Sequence, residues 1–228
     1  MQEKNADLFL NVIKSLDKAG ALKELVLIGS WCLLFYKELF KNSPLIPAVR
    51  TMDMDLLVLK PKKKMEPVNV HKILESLDFE AKYHYSTGYC KYRHKEFTVE
   101  FLMPLKGKGD VGVEEIKSLS INAQGLRYLD FSDKDLMELS YKGLTVRLPR
   151  PEIYTLLKFI VHEERKNPEK KDKDLQTAKQ LGLYLIGHEN HKKSLQATFS
   201  SMHKNMQKKL LRITSENALE INEVLKSS

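Results

Sequence analysis

Apolar and polar positions change period several times along the chain, and each change predicts an element. Leu8, Phe9, Val12, Ile13 and Leu16 recur at helical spacing and the pattern stops at Ala19-Gly20, which predicts an amphipathic first helix with its stripe in the core. Leu25 to Ile28 is a short apolar run that halts at Gly29-Ser30 and passes into a helix-compatible segment from Trp31 to Phe40. A strand feeding a helix N-terminus looks like this, and the junction offers free backbone N–H groups to an anion such as phosphate. Asn42-Ser43-Pro44 and Ile46-Pro47 mark a loop, and Asp53 to Leu59 then opens a second apolar strand. Val70, Ile73, Leu74 and Leu77 predict a helix that Asp78 and Phe79 close.

Tyr89 to Arg93 and Phe97 to Leu102 predict two strands joined in a hairpin at His94-Lys95-Glu96. Leu126 to Phe131 and Leu144 to Leu148 predict short strands, and Pro149 and Pro151 end this part. Beyond Pro151 the period becomes helical throughout, with stripes through Ile153 to Val161, a new helix opening at Lys170 to Ala178, and further segments around Leu195 to Phe199, Met206 to Ile213 and Leu219 to Leu225. The pattern predicts an α/β (α+β) domain over residues 1–150 and a helical C-terminal subdomain over 151–228.

Composition adds a partner class. The 228 residues can bury a sizeable core, and 42% hydrophobic with 30% charged residues is ordinary for a soluble globular protein. A net charge of +8 favours a polyanion, nucleotide or RNA, although a lysine-rich solvated surface gives the same number. Cys32 and Cys90 lack metal-ligand spacing, so two buried, reduced thiols in a cytoplasmic protein are expected. Met1 to Asp7 lacks a basic region followed by an apolar core, and the longest apolar run, Leu25 to Tyr36, is too short for a bilayer, so neither an export leader nor a membrane span is expected.

The candidate chemistry is acidic. Asp53 and Asp55 stand two apart at the start of a strand, so both carboxylates project from one face. Like charges so close repel unless a cation sits between them, and Mg²⁺ takes such oxygens while keeping waters and phosphates in its shell.

Gly29-Ser30, a helix, and Asp-x-Asp entering a hydrophobic strand resemble the signature of the DNA polymerase β-like nucleotidyltransferase superfamily. Leu27-Ile28-Gly29-Ser30-Trp31 with Arg50-Thr51-x-Asp53-x-Asp55 is similar to its bacterial branch of abortive-infection (AbiEii-like) nucleotidyltransferase toxins. The resemblance implies a mixed-sheet nucleotidyltransferase fold and a third acid on a neighbouring strand, a role that falls on Glu100 within Val99-Glu100-Phe101-Leu102. Read from the strand alone, Glu100 alternates with Thr98 and faces outward. Lys170-x-x-Lys173-Asp174 after the helix from Pro151 to Arg165 resembles a second block of that branch, which implies nucleotide contacts for Lys173 and Asp174. By position alone they are a charged helix start with a capping aspartate.

The implied activity is transfer of a nucleoside monophosphate from an NTP to an acceptor hydroxyl, with release of pyrophosphate. Asp53, Asp55 and Glu100 would hold two Mg²⁺ ions, Gly29 and Ser30 the terminal phosphates, and Arg50 would neutralise phosphate charge or orient Asp53. The acceptor, RNA or tRNA, protein or small molecule, is left open, as are an antitoxin partner and the oligomeric state. The alternatives are a catalytically inactive nucleotide- or RNA-binding protein of the same fold, and an interaction protein whose acidic pair is incidental.

Other chemistries fit poorly. Lys106-Gly107-Lys108-Gly109 lacks Walker spacing, Lys60-Pro61-Lys62-Lys63-Lys64 reads as a solvated loop or an electrostatic lure for a nucleic-acid backbone, and the seven histidines form no zinc pattern. No Gly-x-Ser-x-Gly elbow surrounds Ser30. Trp31 and Tyr83, Tyr85, Tyr89 and Tyr92 are expected as core or sheet aromatics before base-stacking platforms.

Overall fold

The computed structural model describes residues 2–48, 51–58, 66–105 and 112–227, without the side chains of 2–5. Arg50 and the two lysine-rich runs, 60–64 and 106–109, lie outside the described residues. The chain divides into two compact units, residues 1–35 with 49–149, and residues 36–48 with 150–228.

The first unit is built on a mixed sheet of β1 (Leu25–Ile28), β2 (Asp53–Val58), β3 (Glu80–Tyr83), β4 (Cys90–Arg93), β5 (Thr98–Pro104), β6 (Val113–Ile116) and β7 (Ile121–Leu126). The strand order is β1-β2-β5-β4-β3, with β7 joining β5 through Leu102–Pro104 and β6 pairing with β7. β2 and β5 run parallel, whereas β1 with β2 and β4 with β5 are antiparallel. A two-stranded ribbon, β8 (Leu136–Tyr141) and β9 (Leu144–Pro149), packs by β9 against β1.

The predicted first helix is α1 (Gln2–Lys18), and its stripe residues Phe9, Val12, Ile13 and Leu16 are wholly buried. Trp31 is core: its ring stacks on Phe9 at 4.1 Å and leans on Phe97 at 5.8 Å. α2 (Cys32–Leu39) follows a 3₁₀ turn at Gly29–Trp31, and α3 (Val70–Glu75) is opened by Asn69, whose side chain accepts from the Lys72 amide.

Strand β2 shows why the acids face one way. Met54 and Leu56 are completely buried while Asp53 and Asp55, which alternate with them, are half-buried, and on β5 Val99 and Phe101 are buried while Thr98 and Glu100 are not. Alternation along both strands thus delivers the three carboxylates to the less buried face.

The strand expected over 126–131 is not formed. Its apolar residues follow β7, which the Gln124-Gly125 interruption had masked as a strand, and the chain turns at Tyr128 with a φ of 65°. Leu129 and Phe131 instead pack on a cluster of Val26, Ile28, Leu57, Leu102 and Leu136. Strands β3, β6, β7 and β8 were not legible as separate elements, because each is short and largely polar on one face.

The second unit is helical: α4 (Pro151–Glu164), α5 (Pro168–Ile186), α6 (Glu189–Ser201), α7 (Lys204–Asn217) and α8 (Leu219–Lys226). Both α4 and α5 carry proline in the first turn, where a missing N–H costs nothing. α4 is buried on every side from Pro151 to Ile160, with α5, α6 and α7 packed around it. Residues 36–48 join this unit through Tyr36 on Tyr154 and Phe40 on Tyr184. No helix among the described residues is long and apolar enough to cross a membrane.

Candidate active site

Three strands and one turn assemble the acidic site. Ile28 at the end of β1 is the register partner of Asp55, and Asp55 in turn faces Glu100 across the parallel β2–β5 pair, with Asp53 opposite Thr98. Neighbouring strands lie about 4.8 Å apart, so the Asp55 and Glu100 side chains leave the same face side by side. Gly29 takes a φ of +72°, and a Cβ placed on it would lie 2.2 Å from Asp55 Oδ2. The glycine is thus what lets the Asp55 carboxylate lie against the turn.

Glu100 is the best-defined of the acids. Its Oε1 accepts from Lys91 Nζ at 2.7 Å, and its Oε2 accepts from the Tyr89 hydroxyl at 3.4 Å. Lys91 is the register partner of Glu100 on β4, so the ion pair crosses the antiparallel ladder directly. Tyr89 is buried, and its one hydroxyl proton is shared with the nearer Phe101 carbonyl at 3.1 Å. Burial first, then the Glu100 and Asp55 carboxylates, push the Tyr89 phenol far above its ordinary range, so it stays a protonated donor.

Lys91 is a residue that the sequence did not single out, and Tyr89 was read there only as a core or sheet aromatic or a base-stacking platform, not as a partner of Glu100. The available signal was Lys91 set between the buried Cys90 and Tyr92 in a predicted strand beside the acid-bearing one. Asn122 was not singled out either. Its Oδ1 accepts from the Cys90 amide and its Nδ2 donates to the Gly88 carbonyl, each at 2.8 Å, which pins the chain on either side of Tyr89 to β7.

The donor set is hard oxygen and suits Mg²⁺ chemically, and the missing Cβ at Gly29 leaves the Asp55 carboxylate its place against the turn. As the side chains stand, no three His, Cys, Asp or Glu among the described residues are grouped so that they could hold a metal ion, and Glu100 is paired with Lys91 and Tyr89. Ser30 is buried beside Gly29. Tyr89 and Tyr92 are buried, whereas Tyr83 and Tyr85 are exposed.

Lys173 and Asp174 belong to the helical unit, on α5. The Asp174 carboxylate is buried and ion-paired through one oxygen to Lys158 and through the other to Arg165 Nε at 2.8 Å. Burial alone would raise its pKa, but the Lys158 ammonium and the Arg165 guanidinium outweigh it and hold the carboxyl below the usual range. Asp174 is therefore the anchor of an ionic triad, buried at Lys158 and exposed at Arg165, and Asn167 is the helix cap, accepting from the Lys170 amide.

A family model described as "Nucleotidyltransferase" matches residues 8–203. Among curated proteins, none matches the chain. A crystal structure of an antigenic nucleotidyltransferase-like protein from Paracoccidioides brasiliensis has a similar fold, with a TM-score of 0.53 at 14% identity over 97% of this chain and 92% of that one. The solution structure of the antibiotic-resistance factor ANT(2'')-Ia is more distant, with a TM-score of 0.48 at 14% identity over 88% of this chain and 94% of that one.

Proposed function

The chain belongs to this nucleotidyltransferase family, and from that premise we propose that it moves a nucleoside monophosphate from an NTP to an acceptor hydroxyl and releases pyrophosphate. The observation that carries the proposal is the register of Ile28, Asp55 and Glu100, which sets the acids on one face beside the Gly29 turn. In the reaction an acceptor oxygen bonds to the α-phosphorus as the α–β bridging P–O bond breaks. The acceptor proton leaves with a base, and the electron pair of the broken bond leaves with pyrophosphate.

Asp53, Asp55 and Glu100 are the residues that would hold Mg²⁺. When bound, the metal supplies charge neutralisation to the triphosphate and the leaving group and lowers the pKa of the acceptor hydroxyl. Gly29, by its backbone, and Ser30, by its hydroxyl, are proposed to hold the terminal phosphates, with Arg50 neutralising their charge. Lys173 is a proposed nucleotide contact, and Asp174 serves by fixing Lys158 and Arg165. The +8 charge supports RNA or tRNA as the acceptor to try first, ahead of proteins and small hydroxylated molecules. The motif from Arg50 to Asp55 supports placing the chain with the abortive-infection enzymes, whose partner would be an antitoxin.

Incubation with each α-labelled NTP, Mg²⁺ and total RNA, protein extract or small hydroxylated compounds should label one acceptor class in wild type and none with Asp55→Ala. Transfer fails as a proposal if wild type labels nothing while binding NTP with Mg²⁺. That result would favour the second reading, nucleotide binding without chemistry, which has one observation behind it: Glu100 is already neutralised by Lys91.

A further inference from the structure

Three like charges share one sheet face, and a protein that must stand without its metal needs something to offset them. Among them Glu100 has an ammonium of its own. Lys91 Nζ lies 2.7 Å from Oε1, and the Lys91 side chain is the more exposed of the two, 39% against 14% for Glu100. The two oxygens of Glu100 are held unequally. The one facing Tyr89 is met by a buried hydroxyl that is itself tied to the Phe101 main chain. The one facing Lys91 is met by the tip of a flexible four-carbon stem, whose ammonium also lies 5.7 Å from the Tyr89 ring centroid and so has an aromatic face to rest on when it withdraws.

We infer that Lys91 is a tethered counter-ion, occupying the Glu100 oxygen that a divalent cation takes, and that cation loading exchanges the one for the other. This rests on the proposed cation site at Asp53, Asp55 and Glu100. Lys91 is then a positioning residue: it keeps Glu100 aimed while the site lacks metal, and it sets how much cation is needed to complete the acidic set. The carboxylate does not have to be rebuilt on loading, because Tyr89 holds its other oxygen throughout.

The test is Mn²⁺ binding by calorimetry or by the loss of free-ion electron paramagnetic resonance signal, on the full chain without nucleotide. Lys91→Met should bind Mn²⁺ about two- to fivefold tighter than wild type, the range expected when a partly exposed ion pair no longer competes. Its melting temperature should be lower than wild type without metal and should rise more on Mn²⁺ addition. In a Glu100→Gln background, Lys91→Met should bring no gain. The exchange is overturned if Lys91→Met binds no tighter than wild type, or if its gain persists with Gln at position 100, which reduces Lys91 to general repulsion. Asp55→Asn separates the two levels. If it leaves wild-type binding unchanged, the cation site itself is wrong; if it abolishes binding while Lys91→Met matches wild type, only the role of Lys91 falls.

Discussion

Gly29 and Asp55 leave no room between them: a Cβ on the glycine would lie 2.2 Å from Oδ2 and 3.1 Å from Cγ of the aspartate, at a φ of +72°. Gly29→Ala therefore meets two costs, left-handed backbone strain of about 1–2 kcal/mol and displacement of a carboxylate proposed to bind metal. Urea denaturation should show a loss of about 2–3 kcal/mol, and any transfer activity should drop by about a hundredfold or more, as misplacement by an ångström does elsewhere. In Gly29→Ala/Asp55→Ala the steric part should return, giving clear non-additivity. Strictly additive losses would mean that the contact carries no energy.

Asn122 bridges strands that the sheet leaves unpaired at that point, with both of its amide ends on the main chain of residues 88 and 90. Asn122→Ala leaves a donor and an acceptor without these partners, at about 1–3 kcal/mol. The loss should be read at Tyr89 and Lys91, since this segment clamps Glu100: amide exchange at Cys90 should quicken selectively. A uniform increase across the sheet would show that Asn122 acts on global stability alone.

How far the site was legible turns on one register. The Gly29-Ser30 corner, Asp53 and Asp55 could be read directly, because a period-2 strand and an apolar stop are local signals. Glu100 could be placed on a strand, and facing outward with Thr98 turns out to be the same as facing the aspartates. Lys91 could not be read. A hairpin turning on His94-Lys95-Glu96 pairs Arg93 with Phe97 and sets Lys91 opposite Val99. The turn also includes Phe97, with the His94 amide bonded to the Phe97 carbonyl, so Lys91 meets Glu100 instead. A shift of one residue changes every cross-strand partner, and tertiary packing, here the burial of Phe97 against Trp31 and Phe79, decides it. The helical unit was legible as helices, but the ionic triad on α4 and α5 was not, since Lys158 and Asp174 sit 16 residues apart on different elements.

Asp174 makes a prediction about acid. Its pKa is held down in the folded chain, so the unfolded chain takes up the proton first as pH falls. The stabilisation is fully present above the unfolded value of about 3.9 and is lost as pH drops from there through the folded value. Asp174→Asn should lose about 3–5 kcal/mol at neutral pH, because Lys158 stays buried with its charge unanswered, and should lack this acid-dependent part. Lys158→Met/Asp174→Leu should recover most of the loss. A double variant as unstable as the single would show that the triad is more than a compensated pair of charges.

His162 makes a second prediction about acid, in a higher pH window. The ring is buried in α4, and neither nitrogen has a hydrogen-bond partner among the described residues. Burial is the main cause of its lowered pKa and Lys171 adds to it, while Glu163 pulls the other way. A depressed histidine binds its proton less readily folded than unfolded, so below about pH 6.5 the unfolded state takes up more protons and stability falls. The contribution is complete above that value and shrinks toward the folded pKa, with a slope of at most about 1.4 kcal/mol per pH unit for one proton. His162→Leu removes the titrating group and two unanswered nitrogens at similar volume, so it should match or exceed wild type at pH 8 and pull ahead between about pH 6.5 and 5. Urea denaturation of both proteins across that range measures the difference, and parallel curves would mean that His162 does not titrate differently on unfolding.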